Sequence, residues 1–194
     1  MSTRSTRRGA GEVVRIVRFR TALGPMTVAA TSRGVVASSL PGGSGARVRD
    51  YVRRRLPRAT LVEASANGSG ADAAAALSAR AARAAREFLA GQRRTLDVPL
   101  DLRGTPFQQQ VWSELRRVPF GRTISYAELA RRAGWPGAAR ACGSANGANP
   151  APLFVPCHRT IASDGSLGGF GGGLPLKRRL LRLEGALPPP AATR

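Results

Sequence analysis

Regular strand patterning is confined to the first forty residues of this chain, and that confinement limits what it can fold into. Three extended runs, at residues 13–19, 26–30 and 35–40, are separated by turn signals at Leu23-Gly24-Pro25 and Ser32-Arg33-Gly34. Tight turns join neighbouring antiparallel strands, so the spacing predicts a small antiparallel sheet. Helices are predicted over residues 47–56 and 72–90, separated by a Gly/Ser-rich loop around Asn67-Gly68-Ser69-Gly70. The Ala/Arg stretch over residues 73–86 has strong helix propensity and is expected to present a solvated face. Strands followed by helices place the chain in the α+β class.

The second half reads as mostly helical. An extended connection over residues 95–101 marks the boundary. Thr105-Pro106 then opens a helix, with Thr as N-cap and Pro at the first position. Phe107, Val111, Trp112 and Leu115 give that helix a buried stripe. Ser125-Tyr126-Ala127-Glu128 fits a capping box for the next helix, which Gly134 ends. After Trp135-Pro136-Gly137, a short helix of small residues is predicted over 138–146, making the pair a helix-turn-helix candidate. The predicted organisation is a disordered basic arm (1–11), an αβ domain (12–94), a helical domain (95–187) and a disordered tail (188–194).

Charge points to a polyanionic partner. The chain carries 31 basic against 11 acidic residues, a formal net charge of +20. Of the basic residues only Lys177 is a lysine, so part of this charge reflects a general use of arginine. No run is long and apolar enough to span a bilayer and the start is polar, so a cytoplasmic protein is expected. Two cysteines and one histidine cannot build a disulfide framework or a tetrahedral zinc site, and no metal or cofactor is expected.

Those scarce residues include an adjacent pair. Cys157 and His158, the only histidine, stand together in Leu153-Phe154-Val155-Pro156-Cys157-His158-Arg159. A thiolate is a strong nucleophile at neutral pH, and a neighbouring imidazole is the usual means of generating it. Taken alone, a free cysteine here reads as a buried residue at the end of a core strand. Neighbours on an extended backbone point in opposite directions, so a direct Cys–His contact is not required and a bridging water would serve.

The order of motifs resolves the choice. Asn149-Pro150, then Pro156-Cys157-His158-Arg159, then the glycine run from Gly168 to Gly173 around Phe170, then Lys177 and a Leu-Leu helix ending in Glu184-Gly185, resembles the O6-alkylguanine-DNA alkyltransferases. The resemblance is strong over residues 95–187 and looser before. It implies an N-terminal ribonuclease H-like sheet and a C-terminal domain holding the helix-turn-helix and the reactive cysteine.

It also implies roles. Cys157 would accept the alkyl group, His158 would deprotonate it through a relay oriented by Glu184, Tyr126 would donate to the guanine ring, and Lys177 would assist from the glycine-rich loop. Asn149 would tie the helix-turn-helix to the active-site strand. The carbonyls of Val155 and Cys157 would read the exocyclic amine of guanine, and Phe170, Gly171 and Pro152 would line the pocket for the base. Arg140 would fill the space of the flipped nucleotide, with Ala139, Gly143 and Ala145 allowing close approach to the minor groove. The implied partner is double-stranded DNA containing O6-alkylguanine, with O4-alkylthymine left open, bound by a monomer without cofactor. Two other readings stand beside it: a lesion-binding module without transfer, and a cysteine hydrolase or acyltransferase. Phe170, where many relatives have tyrosine, and Cys142, expected to be buried and inert, depart from the family pattern.

Overall fold

The computed structural model describes residues 11–66 and 72–188. Most of the basic arm, the loop around Asn67 to Gly70 and all but the first residue of the tail lie outside them. The first half is a four-stranded sheet, β1 (Val13–Thr21), β2 (Gly24–Ala30), β3 (Val35–Ser38) and β4 (Thr60–Glu63), with helices α1 (Gly45–Arg55) and α2 (Ala73–Leu89). Strand order is β3-β2-β1-β4. The alternation along β1 divides its side chains between two clusters. Val14 and Ile16 pack with Val48 and Val52 of α1. Val17 and Phe19 pack with Ala81, Ala85 and Phe88 of α2.

The sheet is mixed, not purely antiparallel. β1 pairs antiparallel with β2, and β2 with β3, as the turns predict. β4 runs parallel to β1. The chain leaves β3 through α1 and returns on the far side of β1, and a helical crossover of this kind delivers a parallel strand. The solvated face expected of the Ala/Arg helix is also only half the account of α2. Its alanines are mostly buried, which lets the helix sit close to the sheet, while Arg80 and Arg83 face outward.

The second half comprises α3 (Pro106–Arg116), β5 (Ile124–Ser125), α4 (Tyr126–Arg132), α5 (Ala139–Gly147), a 3-10 turn (Cys157–Arg159), β6 (Thr160–Ile161) and α6 (Gly173–Leu183). Thr105 caps α3 in a complete capping box with Gln108. The box expected at α4 is half-formed. Ser125 Oγ accepts from Glu128 N, but the Glu128 carboxylate turns to Arg131 and Arg132. Gly134, at φ +88°, closes α4 by a Schellman motif: Trp135 N donates to Ala130 O and Gly134 N to Arg131 O. α3, α4 and α5 share a core of Val111, Trp112, Leu115, Leu129 and Cys142. No described helix is long and apolar enough to cross a membrane.

The connection over residues 95–101 is stitched to the sheet. Val35 N donates to Pro99 O and Asp101 N to Val35 O. Leu153, Phe154 and Leu180 from the second half complete the α2-side core.

Candidate active site

The reactive segment is built by its own backbone constraints. After α5, Asn149 Nδ2 donates to Val155 O at 2.9 Å and Asn149 Oδ1 accepts from Ala151 N at 3.0 Å, folding residues 149–155 into a tight excursion. Ser38 of β3 holds that excursion, its N–H donating to Pro150 O and its hydroxyl to Pro152 O, both at 2.8 Å. Leu153 sits at φ +75°, the only described non-glycine residue in the left-handed region. That conformation costs about 1–2 kcal/mol for a bulky side chain, and burial of Leu153 in the α2-side core offsets it. Cys157 and His158 then lie on a 3-10 turn, not on an extended strand.

Behind the thiol lies a buried charged cluster. His158 Nε2 is 2.7 Å from Glu184 Oε1, with both side chains fully buried. Arg159 grips the same carboxylate through Nε to Oε2 at 2.9 Å and Nη2 to Oε1 at 3.0 Å, and donates from Nη1 to Val118 O. Gly121 N adds a bond to Oε2 at 3.2 Å. Burial alone would raise the Glu184 pKa, but the bonds and charges of His158 and Arg159 outweigh it and the pKa falls. An ionised carboxylate only accepts, so His158 donates from Nε2. Its Nδ1 is left as the bare lone pair, buried and without a protein partner. Burial, with the charges of Arg159 and Lys177, outweighs the pull of Glu184 and lowers the His158 pKa, so the imidazole is neutral at neutral pH. The Cys157 thiol is pushed up by burial, against the Asn149 side chain and the Lys177 charge, which favour the thiolate.

In front of the thiol is a cavity of about 630 Å³, walled by Tyr126, Asn149, Pro152, Phe170 and Gly171, with Ala139, Arg140 and Gly143 of α5 also on its lining. Tyr126 is half-buried, and burial raises its pKa, keeping the phenol protonated. Gly168, at φ +61°, lies flat beside it: a Cβ there would stand 3.2 Å from the Tyr126 ring. Lys177 is fully buried; its Nζ donates to Thr160 O at 2.5 Å and to Leu167 O, pinning β6 to the glycine-rich loop. Desolvation lowers its pKa to about 8.

Two expected contacts are corrected by this geometry. Val155 is fully buried behind the wall, and its carbonyl already accepts from Asn149 Nδ2 and Cys157 N, leaving no lone pair for a base. Ala145 faces the core, and its carbonyl accepts from Trp112 Nε1. Ala139 and Gly143, four residues apart, share one helix face, whereas Ala145 lies on the opposite side. Cys142 is fully buried, and burial raises its pKa. Three residues that sequence reasoning did not single out belong to the site: Arg159, Asn146, whose Nδ2 donates to Cys157 O at 3.3 Å, and Leu40, which reaches the cavity from the first half. Arg159 stands in the Pro-Cys-His-Arg run and was hidden by the abundance of arginine.

Residues 106–186 match the model of the 6-O-methylguanine DNA methyltransferase DNA binding domain. The methylated-DNA–protein-cysteine methyltransferase of Mycobacterium tuberculosis is 56% identical over 97 residues, 50% of this chain and 59% of that protein. The matched region therefore spans under two thirds of that relative's length. The protein of the same name from Methanosarcina acetivorans is 44% identical over 106 residues, 55% of this chain and 68% of that one. The crystal structure of M. tuberculosis OGT in complex with DNA superposes with a TM-score of 0.70 at 35% identity, covering 89% of this chain and 93% of that one.

Proposed function

The chain belongs to the methylated-DNA–protein-cysteine methyltransferase family, and we propose that it repairs duplex DNA by moving the alkyl group of O6-alkylguanine onto its own Cys157, once per molecule. The observation that carries the reading is a thiol on the wall of a cavity large enough to take a flipped nucleotide, next in the chain to a buried neutral histidine paired to an ionised carboxylate. In the proposed step His158 Nδ1 takes the thiol proton through a water. The sulfur attacks the alkyl carbon, and the carbon–oxygen bond breaks with its electron pair moving into the guanine. Tyr126 donates the proton that the departing base takes up. The products are restored guanine and a thioether that water does not reverse. Lys177 favours the thiolate by its charge and, by holding Thr160 O and Leu167 O, positions the loop that carries Phe170 and Gly171.

A base is out of reach inside a duplex, so the substrate nucleotide would be flipped. Ala139 and Gly143 permit close approach to the minor groove, and Arg140, exposed at the cavity mouth, would take the extruded base's place in the stack. Asn149 ties α5 to the reactive segment. The N-terminal sheet, with its parallel β4 beside β1, is consistent with a ribonuclease H-like unit over 12–94, joined to a DNA-binding and acceptor unit over 95–187. The protein would act as a cytoplasmic monomer on DNA, and whether O4-alkylthymine is also accepted depends on the wall at Pro152, Phe170 and Gly171.

The test is intact-protein mass after mixing with a duplex bearing one O6-methylguanine. A stoichiometric gain of one methylene, mapped by peptide sequencing to Cys157, is expected. Binding of that duplex without any mass gain would replace this reading with lesion recognition alone.

The transfer rate should also carry a definite pH dependence. The His158 pKa lies below 6.5, so the base stays competent through neutrality and the rate falls only on acidification below that value. On the alkaline side the rate should decline as Lys177 loses its proton near pH 8. Stability follows the same acid limb. The unfolded chain takes up the His158 proton first as pH falls through about 6.5, so stability falls with it. Single-turnover transfer measured from pH 5 to 9 checks this; an acid limb centred above pH 7 would contradict it.

A further inference from the structure

The chain has two tryptophans, and the fold uses them in opposite ways. Trp112 is buried in the helical core with Nε1 bonded to Ala145 O. Trp135 stands 40% exposed in the turn between α4 and α5. The fold holds it firmly there. Its ring meets Phe107 edge-on, centroids 4.8 Å apart at 67°. Its N–H closes the Schellman motif at Ala130 O, and its carbonyl accepts from Ala138 N. Pro136 restricts its backbone further. Its Nε1–H has no partner among the described residues.

A rigid, exposed aromatic loses little conformational freedom when something covers it, so Trp135 is ready-made for a contact. The location says what covers it. α5 carries Arg140 and Gly143 at the cavity mouth, and a nine-residue helix is only about 13 Å long. A duplex lying along α5 with one nucleotide in the cavity therefore passes the turn within a few base pairs. Arg140 is exposed and makes no ion pair among the described residues, and Arg131 and Arg132 together outweigh the one carboxylate of Glu128 that they share.

We infer that Trp135 is a contact residue for the sugar–phosphate backbone of duplex DNA, its ring packing on deoxyribose and its Nε1–H donating to a phosphate oxygen. This rests on the DNA-repair reading above.

The experiment is a titration of the whole protein with an unmodified duplex, followed at once by tryptophan emission and by anisotropy of a labelled strand. Emission is expected to change and saturate with the anisotropy, since Trp112 is shielded. Trp135→Phe should abolish the emission change. Trp135→Ala should weaken binding roughly fivefold, the scale of one aromatic contact, while alkyl transfer from the free O6-methylguanine base stays at the wild-type rate and shows the site intact. Binding by anisotropy with unchanged emission, or an unchanged Kd in Trp135→Ala, would overturn the inference alone. Loss of emission change into a DNA-free, concentration-dependent self-association abolished by Trp135→Ala would assign the ring to a second copy and overturn it likewise. No duplex binding by either signal would overturn the repair reading itself.

Discussion

Glu184→Gln is expected to slow alkyl transfer by up to roughly 10⁴, the scale of loss when the carboxylate that fixes a catalytic histidine's tautomer becomes an amide. The carboxylate serves four donors: His158 Nε2, two nitrogens of Arg159 and Gly121 N. An amide has only one acceptor oxygen, so its NH₂ must face either the imidazole with Arg159 Nη2 or Arg159 Nε with Gly121 N. Facing the imidazole, it would reward the tautomer with the proton on Nδ1, the atom that the proposed step needs bare. Facing Arg159 Nε and Gly121 N, it sets donor against donor twice. In either orientation the buried guanidinium loses its counter-charge, so stability falls as well. The two losses separate by measuring single-turnover transfer well below the melting transition of the variant, with duplex affinity in parallel. A folded Glu184→Gln protein that binds duplex and transfers at the wild-type rate would remove Glu184 from the proposed relay.

The sequence shows the elements whose signals are local. β1, β2 and β3 carry alternation and tight turns, and α3 carries its cap, proline and apolar stripe within eleven residues. β4 carries nothing comparable. It is four residues long with no buried side chain, and its partner Val13–Ile16 lies far upstream, so neither alternation nor a hairpin turn announces it. Parallel pairing is a property of the crossover through α1, which becomes visible only when the whole sheet is assembled.

The site divides similarly. Cys157, His158, Glu184, Asn149 and Lys177 occupy an ordered series of motifs, and the fold does gather them around one cavity and the buried cluster behind it. A motif fixes order, not direction, so it does not show that Val155 and Ala145 turn away from the cavity. Whether a carbonyl faces a cavity depends on the Asn149 tie and the strained turn at Leu153. Arg159 was missed because thirty arginines conceal one that is buried, and burial cannot be read from residue type alone.

That concealed arginine carries the second large expected effect. Arg159→Met should destabilise the protein by about 3–5 kcal/mol, the cost of removing one partner of a buried ion pair. Methionine matches the aliphatic stem, so the loss comes from leaving the Glu184 carboxylate with two fewer donors and Val118 O with none from Arg159. Urea unfolding checks it through the midpoint. A second readout distinguishes electrostatics from packing. Burial is the main cause of the low His158 pKa and the Arg159 charge adds to it, so removing that charge raises the pKa and shifts the acid limb of the transfer profile to higher pH. Arg159→Lys restores a cation but not the planar fork that grips both carboxylate oxygens and Val118 O. It should return the acid limb towards its wild-type position while recovering only part of the stability. If Met and Lys variants share one acid limb, Arg159 serves only to hold the fold. If they differ in the expected sense, the arginine adds to burial in keeping the histidine neutral, so that it can take the thiol proton.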